Sequence, residues 1–108
     1  MNTSLAWLML VASGLIDVAW AYATKRSEGM THLGWSALSL GLLAAFITLL
    51  SSALRVLPLG TAYGVWTGIG ALGSLAVGIV LLGEPVAAAR IVFALITLVG
   101  IVGLKASG

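Results

Sequence analysis

The sequence predicts an all-α membrane protein with four transmembrane helices per subunit. Three observations predict it. Of its 108 residues, 61% are hydrophobic and only 7% are charged, against about 25% charged in a water-soluble domain; the mean hydropathy is +1.20. The apolar residues fall into four runs, each close to the roughly 20 residues that a bilayer crossing needs. The connections between runs are a few residues long. They leave no room for a soluble domain, so residues 1–108 read as one transmembrane domain whose chemistry must lie between helices.

The first helix is expected at about residues 5–24. Lys25-Arg26-Ser27-Glu28-Gly29 follows with charge and a turn residue. The run reads as a retained helix and not as a cleavable signal, because no basic segment precedes it and Asp17 interrupts it. The second helix is expected at about 33–54, followed by Arg55. The third, at about 58–82, opens on Pro58, whose fixed φ suits a first helical turn, and Gly83-Glu84-Pro85 ends it. The fourth, at about 87–104, ends at Lys105. Four crossings put both termini on one side. Lys25, Arg26 and Arg90 then oppose Arg55 and Lys105, three basic residues against two. The positive-inside rule gives almost no orientation preference from such a count. A fixed topology with a weak signal and a dual topology both fit, and dual topology would permit an antiparallel homodimer.

Several chemistries drop out. The chain has no cysteine and one histidine, so disulfides, thiol chemistry and a Cys- or His-rich metal site are excluded. No nucleophile–base pair or phosphate-binding loop is present, which argues against an enzyme, and no cofactor is implied. No basic stripe points to nucleic acid. Lys25, Arg26, Arg55 and Lys105 read as snorkelling anchors, and Trp7 and Trp35, near span ends, as interfacial belt residues. Glu84 reads as a solvated loop residue, as does His32. Ser36, Ser39, Thr48, Ser51 and Ser52 can satisfy carbonyls of their own helix.

Asp17 stands apart, as the only acidic residue in the long apolar runs. It lies about 18 Å along a helix that starts near Leu5, near the middle of a hydrocarbon core about 30 Å thick. An intramembrane carboxylate costs on the order of 3 kcal/mol or more, so its default reading is functional; the alternative is hydrogen-bonded glue between helices. Its neighbours at three and four residues are Ser13, Gly14, Trp20 and Ala21, small on one side and aromatic on the other. By the same spacing Tyr63, Trp66, Thr67 and Gly70 share a face of the third helix. A carboxylate ringed by aromatic faces suits a cation. A group that holds either a proton or a cation is the minimum equipment for proton-coupled exchange.

Small residues recur at helical spacing. Gly60, Gly64 and Gly68 lie four apart, and Gly70, Gly73, Ser74 and Gly78 continue the surface; Gly100 and Gly103 sit in the fourth run. Such surfaces permit close approach, either within the subunit or between subunits. Gly68-Ile69-Gly70 places two glycines in mid-helix, where they weaken the helix and fit a hinge.

At these residues the chain resembles the small multidrug resistance family over essentially its full length. The resemblance is carried by an acid in the first helix, Pro58-Leu59-Gly60-Thr61-Ala62-Tyr63 opening the third, and Trp66-Thr67-Gly68-Ile69-Gly70 within it. Gly14, Trp20, the continuation Ala71-Leu72-Gly73, Glu84-Pro85 and Gly103-Leu104-Lys105-Ala106 look like the guanidinium-exporter subtype. The resemblance implies a multi-pass inner-membrane antiporter, working as an antiparallel homodimer, that exports guanidinium or guanidinyl cations against protons. It implies substrate and proton binding at Asp17, Trp20, Tyr63 and Trp66, joined by Ser13, Gly14 and Thr67 from the spacing above. It also implies a hinge at Gly68 and Gly70 and a dimer contact around Gly100. Two positions depart from the pattern. Asp17 stands where the family has Glu, and Phe46 stands where the exporter subtype has a small hydroxyl residue. The second change points toward larger or more apolar cations. Export of quaternary ammonium or other hydrophobic cations is the alternative within the class. A non-transporting assembly subunit with Asp17 as glue is the alternative outside it, and pairing with a sister subunit is a further arrangement.

Overall fold

The computed structural model describes residues 2–107. Its helices are α1 (Thr3–Arg26), α2 (Leu33–Leu54), α3 (Leu59–Leu81) and α4 (Ala88–Ser107). Each is long and apolar enough to cross a bilayer. Helix α1 runs two residues further at each end than its apolar run. Pro58 is the N-cap of α3 and precedes its first turn, and α4 continues past Lys105.

Local chemistry sets the helix ends. Asn2 caps α1 by accepting the Leu5 N–H at 2.7 Å, which satisfies one of the orphan donors of the first turn. The first loop is organised by Ser27, which is fully buried. Its hydroxyl donates to the Thr24 carbonyl at 2.6 Å and accepts the Met30 N–H at 3.1 Å, while its carbonyl accepts from the Thr31 and His32 amides. Leu82 is the C-cap of α3, and Gly83 follows at φ +68°; glycine reaches this left-handed turn without a Cβ clash.

The helices pack in the spatial order α2–α1–α3–α4. Helix α1 packs against α2 and α3 broadly, α2 meets α3 only sparsely, and the backbone of α4 packs against α3 alone. The subunit is therefore a slab of 39 × 35 × 16 Å, and no residue of α4 is buried. Lipid tails are as apolar as leucine, so close van der Waals packing and hydrogen bonds must hold such a slab together.

Glycines make that packing close on two faces of α3. Toward α1, a Cβ at Gly73 would collide with the Val18 side chain, and one at Gly14 of α1 would lie 2.7 Å from Ile69 Cγ2. Toward α4, a Cβ at Gly64 would lie 2.8 Å from Leu104 Cδ1, and one at Gly68 2.5 Å from Ile101 Cγ1. Of the small-residue surface read from the sequence, Gly64, Gly68, Gly70, Gly73 and Gly78 are thus used inside the subunit, whereas nothing lies within 4 Å of a Cβ at Gly60, Gly100 or Gly103. Helix α3 runs unbroken through Gly68-Ile69-Gly70.

The two ends of the slab differ. Near the termini, Ala6, Leu10, Ala53, Leu57, Ala62 and Val65 form the core, with Trp7 and Trp66 packed against it. Near the first and third loops, by contrast, a cavity of about 380 Å³ lies between α1 and α3, and one of about 450 Å³ borders the first loop. Two of the four anchors expected from the sequence, Arg26 and Lys105, stack on aromatic rings, one at each end. The Arg26 guanidinium lies 5.8 Å from the Tyr22 ring and 5.6 Å from Trp35, and Lys105 Nζ 5.1 Å from Trp7.

Gly73→Ala should lower the stability of the detergent-solubilised protein by about 1–3 kcal/mol, the usual cost of overpacking. Adding Val18→Ala should restore most of it, whereas Gly41→Ala, with nothing within 4 Å, should stay near wild type in the same thermal unfolding assay.

Candidate functional site

Asp17 is half-buried in the middle of α1, and its side chain points at α3. A Cβ at Gly70 would collide with Asp17 Oδ2, so the carboxylate rests directly on the α3 backbone. Only glycine at residue 70 leaves that space. Among the described residues, the ion pairs are His32–Glu28 at 3.1 Å and Arg90–Glu84 at 3.2 Å. Neither reaches Asp17, so its charge has no internal counter-ion.

One turn before Asp17, Ser13 is fully buried and ties three helices together. Its hydroxyl donates to the Phe46 carbonyl of α2 at 2.7 Å and accepts from Trp66 Nε1 of α3 at 3.1 Å. The bond from Trp66 fixes the indole. It also holds the hydroxyl that a free serine would otherwise offer to its own helix.

Four rings form a row across the same three helices. Trp20 meets Phe46 edge-on at 5.6 Å and 62°. Phe46 lies 5.7 Å from Trp66 at 33°, and Trp66 lies 5.4 Å from Tyr63 at 32°. Ring faces attract cations, most strongly when both are desolvated. Trp20 on α1 and Trp66 on α3 place this row about one helical turn from Asp17 and from Gly70, on which its carboxylate rests.

The structure brings Asp17, Ser13, Gly14, Trp20, Tyr63 and Trp66 into one region, with Gly70 as its floor. Tyr63 is half-exposed, at the open edge of the row. Thr67 is exposed and contributes no hydrogen bond to the group. Gly68 faces α4, and nothing lies near a Cβ built on Gly100.

Sequence reasoning passed over three features. Phe46 reads there as a lost hydroxyl, yet it is the buried link between Trp20 and Trp66, and its carbonyl is the Ser13 acceptor. The available signal was its place as the only aromatic away from the ends of the second apolar run. Ser39 does not bond its own helix; its hydroxyl meets Thr24 of α1 at 2.7 Å. Glu84 is not a freely solvated loop residue. Its backbone N–H donates to the Gly78 carbonyl at 3.0 Å, and its carboxylate lies where a Cβ at Gly78 would be. Ser36 and Thr48 do bond their own helix, at 2.7 Å each.

Four apolar crossings, with one uncompensated carboxyl deep in the first and an aromatic row across three of the helices, define a small multi-pass membrane protein. The chain belongs to the Small Multidrug Resistance protein family, which matches residues 5–105. It is similar to the guanidinium exporter of Yersinia pseudotuberculosis serotype I (strain IP32953), with 50% identity over 101 residues, 94% of this chain and 97% of the relative. It is likewise 44% identical over 103 residues to the guanidinium exporter of Citrobacter freundii, covering 95% and 98% of the two chains. A guanidinium exporter of Salmonella typhimurium (strain LT2) is 41% identical over the same length. The chain is accordingly a multi-pass protein of the bacterial inner membrane.

Ser13→Ala should leave the Trp66 indole N–H without its acceptor. The expected cost is about 1–3 kcal/mol, read by thermal unfolding together with a shift in tryptophan emission. Thr67→Ala, at an exposed position, should change stability by no more than about 0.5 kcal/mol in the same measurement.

Proposed function

We propose that this chain exports guanidinium or guanidinyl cations in exchange for protons, as an antiparallel homodimer. The observation that carries the reading is Asp17, an intramembrane carboxylate on Gly70 with no internal counter-ion and an aromatic row beside it. Relatives covering almost the whole chain are guanidinium exporters, which supports the substrate class.

Exchange follows from the cost of the bare charge. A carboxylate at the bilayer centre costs on the order of 3 kcal/mol or more, and either a bound proton or a bound cation removes most of that cost. The two compete for the same oxygens, so loading one releases the other. The shape of the subunit supports alternating access. It is packed at the end carrying Ala6, Ala53 and Ala62 and open at the end carrying Lys25 and Glu84. Two copies side by side in opposite orientations present one closed and one open end to each face of the membrane. Gly68 and Gly70 are the points where α3 bends as the ends exchange.

Helix α4 is the contact between copies. It is unburied along its length, and Gly100 and Gly103 lie open on it, as small residues at a helix–helix contact should. Phe46 favours a broader substrate range. Its ring, at the centre of the row, extends an apolar wall where the exporter pattern has a hydroxyl. An apolar residue behind Trp20 and Trp66, in place of a hydroxyl, favours guanidinyl compounds with an apolar arm and hydrophobic cations more generally.

In proteoliposomes, a guanidinium gradient should drive proton current through the wild type. Asp17→Asn should abolish the current while the protein still elutes as a dimer. Absence of guanidinium-driven current in folded wild type would overturn the reading, and loss of the dimer in Asp17→Asn would make the carboxyl inter-helix glue. Gly100→Ile should leave the subunit fold intact and weaken dimerisation at least tenfold in crosslinking titrations.

A further inference from the structure

The cavity of about 380 Å³ is lined from Val18 and Ala71 onward, one residue past Asp17 and Gly70 in each helix. Its inner wall includes Val18 and Ala21 of α1 and Ala71 and Ser74 of α3, and its outer end is formed by Glu84 and Arg90. Asp17 itself is not in the lining. The cavity runs along the α1–α3 groove from Val18 and Ala71, the residues next in sequence to Asp17 and Gly70, toward the third loop, and a second carboxylate stands at its mouth.

That carboxylate is held in place and incompletely used. The Glu84 backbone N–H bonds Gly78 at 3.0 Å, and its side chain is pressed onto Gly78 of α3. Arg90 Nη2 donates to Glu84 Oε1 at 3.2 Å, while Nη1 is engaged by the Pro85 carbonyl at 2.8 Å. The guanidinium therefore grips the carboxylate through one oxygen only. Among the described residues Oε2 accepts no hydrogen bond. The side chains are 33% and 37% exposed, and a pair of this exposure biases an equilibrium by about twofold to fivefold.

We propose that Glu84 is a second, outer binding station for the guanidinium-type cation, occupied at rest by the side chain of Arg90. The inference rests on the guanidinium reading above. Arg90 presents the same planar cation as that substrate, but its tether and its bond to Pro85 restrict it to one carboxylate oxygen. An untethered guanidinium can make the two-bond fork to both oxygens, the stronger and more specific geometry. The substrate thus displaces Arg90 at the mouth and proceeds along the groove to Asp17, or makes the reverse passage. Lys25, on the α1 wall of the same cavity, is the other charge facing the station, and its ammonium repels the entering cation. The Glu84–Arg90 pair is the weak latch that the cation opens.

The test is guanidinium chloride titrated by NMR into the detergent-solubilised dimer, observing the Arg90 side-chain Nε–Hε resonance. It uses Asp17→Asn so that the inner site does not contribute. Saturable guanidinium binding should survive in Asp17→Asn, move the Arg90 signal, and vanish with added Glu84→Gln. Adding Arg90→Gln, which removes the competing charge and keeps donors for the Pro85 carbonyl, should tighten binding about twofold to fivefold, read by the Glu84 side-chain carboxyl carbon. Lys25→Gln should tighten it in the same direction. Quaternary ammonium, which has no N–H donors, should not move the Arg90 signal. If wild type binds guanidinium but Asp17→Asn shows no saturable binding with or without Arg90→Gln, the outer station is overturned and the transport reading stands. If folded wild type binds no guanidinium, both fall.

Discussion

The structure depends on the close approach of α1 and α3. Gly14 gives way to Ile69, Gly70 to Asp17 and Gly73 to Val18, so that small residues on either helix receive larger ones from the other. In a bilayer no hydrophobic force drives such an approach, and atomic packing must supply it. The same approach sets the chemistry, because it brings the α3 backbone to the Asp17 carboxylate and lets the Trp66 indole reach Ser13. A bulkier α3 surface would separate the helices and undo the site and the fold together.

Much of this was legible in the sequence. Four runs of the right length, with few charges between, define the crossings on length and composition alone. Asp17 was conspicuous because ionisable residues are so costly in apolar runs, and helical spacing placed Ser13, Gly14 and Trp20 beside it. The relation between helices was not legible. Gly64 and Gly68 turn toward α4 while Gly70 and Gly73 turn toward α1, and periodicity on one helix cannot say which neighbour fills which face. Phe46 was hidden for the same reason. Its partners come from α1 and α3, and the atom that matters most, its carbonyl oxygen, is common to every residue. Glu84 was misread because a loop acid beside proline is usually solvated, and only the path of the third loop folds it back onto Gly78.

The shorter acid fits this arrangement. Aspartate holds its carboxylate close to its own backbone, in the seam where Gly70 gives room. Ser13, one turn away, is already committed to Phe46 and Trp66. The carboxylate is therefore shaped by packing rather than by a hydrogen-bond network within the subunit. The ordered polar network lies beside the acid and fixes the aromatic row, so the charged and the aromatic parts of the site are positioned by different interactions.

The spatial order α2–α1–α3–α4 also puts the helices in mechanical series. Helix α4 packs against no other helix backbone than α3, and only its end residues Arg90 and Lys105 reach the third loop and Trp7, so a displacement that starts at Asp17 reaches the outer helix chiefly through α3. Along that path the compliances of successive contacts add. The stiffness of α3 between Gly64 and Gly78 then governs how much of a movement at the carboxylate arrives at α4. A substitution anywhere in that stretch alters the transmission even where it touches neither end.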